Sequence, residues 1–514
     1  MPVKLRSLLA VALFCSVAVS VAQSVGPSPL AWRWSQNTTV SPGGSIAANN
    51  DVIYAAVGQR VYAIDRDSGN QRWRFPAAAP LDANFRTGCV FGDDTVVAAA
   101  DNKTIFGINA ADGTVKWTYE GTVGLIGAPV LVGKYVVFAQ SDNSLMALYA
   151  SNGQAAWLAP QRVFDGIQGF ISGYLDNVIF ATARQELWSV NVGTQNKNWS
   201  KRFSILPGDS RPTVFGDSVY VNSGTFVTAL SAIDGSRRWE ADANMALLRN
   251  PAASSSGVAV LSREGNLMTF DATGRKLLKD PIVLGSPPMV DPLYTGSLVL
   301  AATQNGFLHM VDSKTGEVRW NFQVKPVVKA KAPASGTTGG TTDKPPTFVQ
   351  AASTPMLLGQ TVLLTARDGS ILAFDRQNGV DVTPPEVKMV FPAPGDQVKG
   401  KPPFEIFFTV TDESSGVNSK ALSIDVDGTK IETTTNRDGF IVARFSNETK
   451  NRPLRDGRRV ITVKATDWLG NSVSKSFLLV IDSTLPDTRP RAGAGAGAGG
   501  GSRQGGGGGG RDGL

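Results

Sequence analysis

The stretch Val61-Tyr62-Ala63-Ile64-Asp65, followed at a fixed distance by Gly69 and Trp73, decides the fold because it recurs along the chain. It returns as Ile105 to Trp117 with Gly113, as Leu145 to Trp157 with Gly153, as Val227 to Trp239 with Gly235, and as Leu308 to Trp320 with Gly316. In each copy the glycine lies eight residues after the first apolar position and the tryptophan twelve after it. Two copies are degraded: Leu187 to Trp199 has Gln195 in the glycine slot, and Leu267 to Leu278 is one residue shorter and lacks the tryptophan. An eighth copy opens at Ile371 and keeps Asp375 and Gly379. Starts at 61, 105, 145, 187, 227, 267 and 308 are 40 to 44 residues apart, the length of one four-stranded propeller blade.

Within a unit, short β-branched runs such as Val52-Ile-Tyr54, Val136-Val-Phe138, Val219-Tyr-Val221 and Val362-Leu-Leu364 alternate with polar turns, and no helical period competes. A blade cannot bury both faces alone. Trp32, Trp73, Trp117, Trp157, Trp199, Trp239 and Trp320 are therefore expected to fill the seams between blades. Each would bury roughly 150 to 250 Å², on the order of 4 to 6 kcal/mol before entropy is subtracted. The eighth copy has Thr383 in the tryptophan slot and Pro384-Pro385 behind it, which no interior strand tolerates. Trp32-Arg33-Trp34 matches the outer-strand ends Trp73-Arg74-Phe75 and Trp320-Asn321-Phe322, and it has no preceding hairpin of its own. It is expected to complete the last blade and close the ring, leaving no long free edge.

The unit Ala63-x-Asp65-x-x-x-Gly69-x-x-x-Trp73 resembles the tryptophan-docking repeat of the PQQ-like propeller superfamily, over about residues 30 to 383. That resemblance implies an eight-bladed propeller, and its branches differ in function: quinoprotein dehydrogenases on one side, non-enzymatic BamB-like assembly scaffolds on the other. The dehydrogenases typically carry a pair of adjacent cysteines over the quinone, and some add a haem motif. This chain has only Cys15 and Cys89 and no Cys-x-x-Cys-His. Its single histidine, His309, occupies the slot held elsewhere by Tyr62, Phe106 and Trp188 and reads as a packing residue. The resemblance therefore points to the BamB-like branch, with no catalytic residue and no cofactor expected.

The 514 residues, 42% hydrophobic and 18% charged, suffice for several cores. Residues 1–22, with Lys4 and Arg6 ahead of the apolar run Leu8 to Val21 and small residues at Ser20 and Ala22, have the layout of a cleaved signal peptide. Phe14 beside Cys15 is too bulky for a lipoprotein signal, and Cys89 alone cannot make an intramolecular disulfide in the mature chain. The formal charge is +7, but no run of five or six basic residues occurs, so nucleic acid is not an expected partner.

The propeller is expected over 23–383, with a flexible insert at 325–350, where Ser335 to Asp343 has no large apolar residue. The insert should emerge on the same face as the turns at Asn102, Asp142, Arg184, Arg263 and Arg367, the candidate binding face. From 384 to 484 the strands Phe404 to Val410 and Arg459 to Ala465, with an Asp467-x-x-Gly470-Asn471 turn, resemble bacterial immunoglobulin-like sandwiches. Asp412 and Asp467, among Glu413, Asp425 and Asp427, are weak candidates for calcium ligands, since a hard cation wants several oxygens. No metal is otherwise expected. The tail 485–514, glycine runs broken by Arg491, Arg503 and Arg511, should be disordered.

The expected protein is an all-β, extracytoplasmic, non-catalytic scaffold: periplasmic, outer-membrane-associated or secreted, with a protein partner in the cell envelope through which any peripheral association with the outer membrane would run. A divergent PQQ-dependent dehydrogenase and a surface module binding polysaccharide or matrix are the alternatives.

Overall fold

The computed structural model describes residues 26–35, 40–205, 211–327, 348–399, 403–435, 439–446 and 448–485. The expected signal peptide, most of the 325–350 insert and nearly all of the tail lie outside the described residues.

Eight four-stranded antiparallel sheets follow one another. The first seven blades are each sequential; blade 1 is Ala47–Ala48, Val52–Val57, Arg60–Asp65 and Gln71–Phe75. The eighth takes Met356–Leu358, Thr361–Thr365 and Ile371–Phe374, and its outer strand is Leu30–Trp34. That strand pairs antiparallel with the third strand of the blade, Trp32 opposite Ala373 and Trp34 opposite Ile371. The ring is thus closed by joining the start of the propeller to its end, which satisfies the edge of Ile371–Phe374 that would otherwise face solvent.

Burial along the strands shows why these segments form blades. The second strands, such as Val52–Val57 and Leu298–Ala302, are buried at every position because both faces are covered by neighbouring blades. Outer strands alternate: in Gln71–Phe75 only Trp73 and Phe75 are buried. The apolar side chains gather into seam cores, each spanning two neighbours, as where Val97 and Ile105 of blade 2 meet Val136 and Phe138 of blade 3. The seam between blades 8 and 1 is built the same way, from Leu363 and Ile371 against Ile53 and Tyr62.

Beyond the propeller, Glu386–Phe391, Phe404–Thr411, Ile441–Phe445 and Thr434–Thr435 make one sheet. Five strands make the other, centred on Gly457–Thr466 paired with Ser472–Ile481. Alternate residues of facing strands, Phe404, Ile406 and Phe408 from one sheet and Ile461, Val463 and Leu479 from the other, enclose a single core. The result is a β-sandwich held by packing alone.

This sandwich is docked on the propeller. Ser414-Ser415-Gly416 enters the seam between blades 7 and 8, where the Ser414 carbonyl accepts from Leu30 N–H at 2.8 Å. Trp468 Nε1 donates to Asn321 Oδ1 at 3.1 Å, and Lys420 pairs with Glu317 at 2.6 Å.

Candidate binding face and axial channel

The tryptophans hold together the blades that carry the rest of the site. Indole N–H groups of Trp32, Trp73, Trp117, Trp157, Trp199 and Trp239 donate to the carbonyls of Arg66, Ala110, Ala150, Val192, Ala232 and Ala272, each in the next blade, at 2.7 to 3.0 Å. The repeat glycine is the floor on which the ring lies. At Gly113, with φ of +77°, an added Cβ would fall 2.7 to 2.8 Å from the Trp73 ring. Gln195, in the degraded copy, adopts φ of +59° in the same slot. Trp320 departs from the pattern: it is wholly buried, but its N–H donates to Ser415 O of the sandwich at 2.8 Å instead of to blade 8. Blade 8's own hairpin is occupied, since Gly379 lies against the Pro29 carbonyl where the incoming first strand passes.

Asn102, Asp142, Arg184, Arg263 and Arg367 all sit in turns between the second and third strands of their blades, and all are exposed. They share one face. The N–H groups of Asp101, Ser141, Ala183, Arg263 and Arg367 donate to carbonyls of the connections that enter their blades, at Asn84, Gly124, Asp165, Ala246 and Gln350. Asn102 and Asp142 spend their side chains within the turn, accepting from Thr104 N and from Ser144 N and Oγ. Arg184 pairs with Asp165 at 3.0 Å. Only Arg263 and Arg367 reach the propeller axis.

There a cavity of about 1040 Å³ is lined by all eight blades. Arg86, Arg211 and Arg249 join Arg263 and Arg367 on its wall, with Asp291 as the lone carboxylate among the described residues. Sequence reasoning missed these three because they precede inner strands, where the repeat carries no fixed motif. A signal was nevertheless present: proline begins several inner segments, as in Arg211-Pro212, Arg249-Asn250-Pro251 and Val290-Asp291-Pro292, and the residues just before it face the axis. Asp291 is engaged by Asn250, which donates from N at 3.0 Å and from Nδ2 at 2.8 Å. Burial lowers the pKa of Arg211, with Asp291 opposing the shift. Cys89 also lines the channel, and burial pushes its thiol up to about 12, so it is a packed, unreactive group.

His309 is buried, stacked on Phe307 with centroids 5.6 Å apart and 3.4 Å from Thr303 Oγ1; burial lowers its pKa to about 4, leaving a neutral ring. It borders a smaller cavity of about 290 Å³ between blade 7 and the sandwich. Asp412 and Asp467 are brought together, and Asp381, which sequence reasoning left out, joins them: each offers an oxygen within 4.8 Å of the others, and all three are buried. Such a donor set could hold a hard cation. Asp425 and Asp427 do not join it; Asp427 pairs with Arg459 at 3.0 Å. Burial, and then the neighbouring Asp381 charge, raise the pKa of Asp412 against the backbone N–H groups of Ser414, Ser415 and Gly416. For Asp381 burial pushes upward, but hydrogen bonds from Ser415 and Thr383 hold the carboxyl below its usual range.

A profile of the family described as outer membrane protein assembly factor BamB matches residues 30–240, 175–326 and 223–383 in overlapping stretches. The chain belongs to the BamB family of PQQ-like propellers. It is 26% identical over 300 residues to the BamB of Bordetella pertussis, covering 54% of this chain and 75% of that protein. It is 25% identical over 158 residues to the BamB of Legionella pneumophila, 30% of this chain and 40% of that one. Among solved structures, BamB from Moraxella catarrhalis superposes with a TM-score of 0.51 at 15% identity, over 67% of this chain and 97% of the other. That likeness concerns the propeller fold.

Proposed function

We propose that this protein is an extracytoplasmic, non-catalytic scaffold of BamB type that contributes to outer-membrane protein assembly by binding a protein partner in the cell envelope. The observation that carries the reading is the BamB-family match across the whole ring, residues 30 to 383. The face bearing Arg263 and Arg367 is the proposed contact surface, because its turns sit on a rigid frame and its cations converge on the axis. In this reading residues 1–22 direct export, and 384 to 484 form an immunoglobulin-like domain appended to the ring.

The test is a pull-down from Gram-negative cell-envelope extract with the mature chain as bait, beside a variant carrying Glu at 102, 184 and 367. Assembly-machinery proteins retained by the native chain and lost by the variant would support the scaffold. Capture of no envelope protein by the native chain would reject it.

A further inference from the structure

Among the described residues, four guanidinium groups on the channel wall make no ion pair with a carboxylate, and only Arg211 feels the charge of Asp291. Arg211 makes one weak contact, Nε to Ser172 Oγ at 3.4 Å, and Arg249 Nε is buried with no hydrogen-bond partner. No side-chain bond or ion pair engages Arg263 or Arg367, whereas Arg86 is paired with Asp101 at 2.8 Å. The one acid among the described lining residues, Asp291, is already held by Asn250. Arg249 also has φ of +76°, a left-handed conformation that costs a non-glycine residue roughly 1 to 3 kcal/mol and tends to persist at working sites.

The charge is one-sided. The four arginines come from blades 5, 6 and 8, and the neighbouring blades 3 and 4 offer Val130, Leu131 and Phe170. Phe164 and Ile205, on connections of the same face beside that wall, are 92% and 57% exposed. Phe164 follows Val163, whose N–H donates to the turn at Asn143, and Ile205 follows Phe203, whose N–H donates to the turn at Gln185. A cavity of about 1040 Å³ stands at the top of the ~300–1,000 Å³ range of small-molecule pockets. An extended chain advances roughly 3.3 Å per residue and so can deliver carboxylates one after another to cations on different blades.

We infer that the axial channel receives an acidic peptide segment of a protein partner, with one or more large apolar residues seated against the blade 3 and 4 wall. This deepens the scaffold reading and rests on it. Carboxylates entering the channel form charge-assisted, bidentate bonds with guanidiniums that have no competing partner in the free protein. The field of these four cations, which Asp291 only partly offsets, steers the segment in, and the apolar wall selects among acidic sequences.

The test is selection of a random twelve-residue peptide library on the full mature chain. The expected yield is sequences with several Asp or Glu beside an aromatic or branched aliphatic residue. A synthetic peptide of the enriched sequence should lose about tenfold or more in affinity for each of Arg263→Gln and Arg367→Gln, a size typical of charge-assisted bonds. Both side chains are exposed, so these variants keep the fold. Affinity should also fall steeply with added salt. Neutral or basic selected sequences, no enrichment at all, or equal binding by the R263Q/R367Q double variant would overturn the inference. So would 1:1 binding of inorganic phosphate or citrate without any peptide binding. If the double variant still captures envelope proteins as the native chain does, the scaffold reading survives and this inference alone fails.

Discussion

Replacing Gly113 with alanine separates two costs that the structure keeps distinct. The first is backbone strain: φ of +77° in an L-residue costs about 1 to 2 kcal/mol. Gly359 carries the same burden, with φ of +63°, but a Cβ there meets nothing within 4 Å. Gly359→Ala is therefore the control for strain alone. At Gly113 the new methyl would stand 2.7 to 2.8 Å from Trp73 ring atoms, too close for either to remain. The ring must lift, and its N–H then leaves Ala110 O, now 2.9 Å away. A buried donor stripped of its partner costs ~1 to 3 kcal/mol, and disturbed seam packing adds about as much. Gly113→Ala should thus lose about 2 to 6 kcal/mol more than Gly359→Ala. Urea unfolding followed by circular dichroism gives the difference, and hydrogen exchange should locate it in Gln71–Phe75 and the hairpin after Asn109. Equal losses in the two variants would show that the tryptophan is not seated on the glycine, and the docking argument for the seams would fall with it.

Gln195→Gly should stabilise by up to about 1 kcal/mol through relief of its left-handed backbone, with the Trp157 bond to Val192 unchanged; a shifted urea midpoint would show it. Asp412→Asn tests the buried acids. Because the folded-state pKa of Asp412 is raised, its contribution to stability is present at low pH and is lost as pH rises through that value. The amide keeps an acceptor for the Ser414, Ser415 and Gly416 N–H groups, so in EDTA the variant should melt higher than the native chain at pH 7, the gain vanishing below about pH 4. A lower melting temperature at pH 7 would contradict this. Cys89, its thiol raised to about 12, should resist iodoacetamide at pH 8 in the native protein and react at once in urea. Trp320→Phe removes the bond to Ser415 O and should speed limited proteolysis between the propeller and the sandwich without altering cleavage elsewhere.

Much of the ring was legible because a propeller writes one local solution repeatedly. Hairpin glycine and outer-strand tryptophan interact with the adjacent copy, so spacing alone carries the contact. The pairing of Trp32 and Trp34 with blade 8 was readable for the same reason: an outer-strand sequence lacked a hairpin, and a hairpin lacked an outer strand. Trp320 could not be read this way, since its acceptor, Ser415, lies 95 positions onward in a different unit. Asp381 was overlooked beside Asp412 and Asp467 because it belongs to the junction, where no repeat or turn motif applies. Arg86, Arg211 and Arg249 had the weakest trace. Each stands in a connection, and what unites Arg211, Arg249 and Asp291 is their place before an inner strand, a relation that exists only once the blades are arranged in a circle.

The two ends of the propeller and the sandwich converge on a single seam, and this places ring closure and the proposed binding channel in different parts of the ring. Leu30 N donates to Ser414 O, Trp320 donates to Ser415 O, and Ser415 in turn donates from N and Oγ to Asp381, at 3.1 and 2.5 Å. Arg33 spans the same joint, reaching Lys325 O at 2.7 Å and Asp368 at 2.8 Å. A ring closed by a five-residue strand is most easily opened at that strand, and the sandwich grips both sides of the joint. Its contacts run along blades 7 and 8, and no described residue beyond Arg367 lines the axial channel. Reinforcing closure from the periphery keeps the described part of the sandwich away from the arginine-lined mouth, so the appended unit can stabilise the frame without competing for the peptide proposed to bind there.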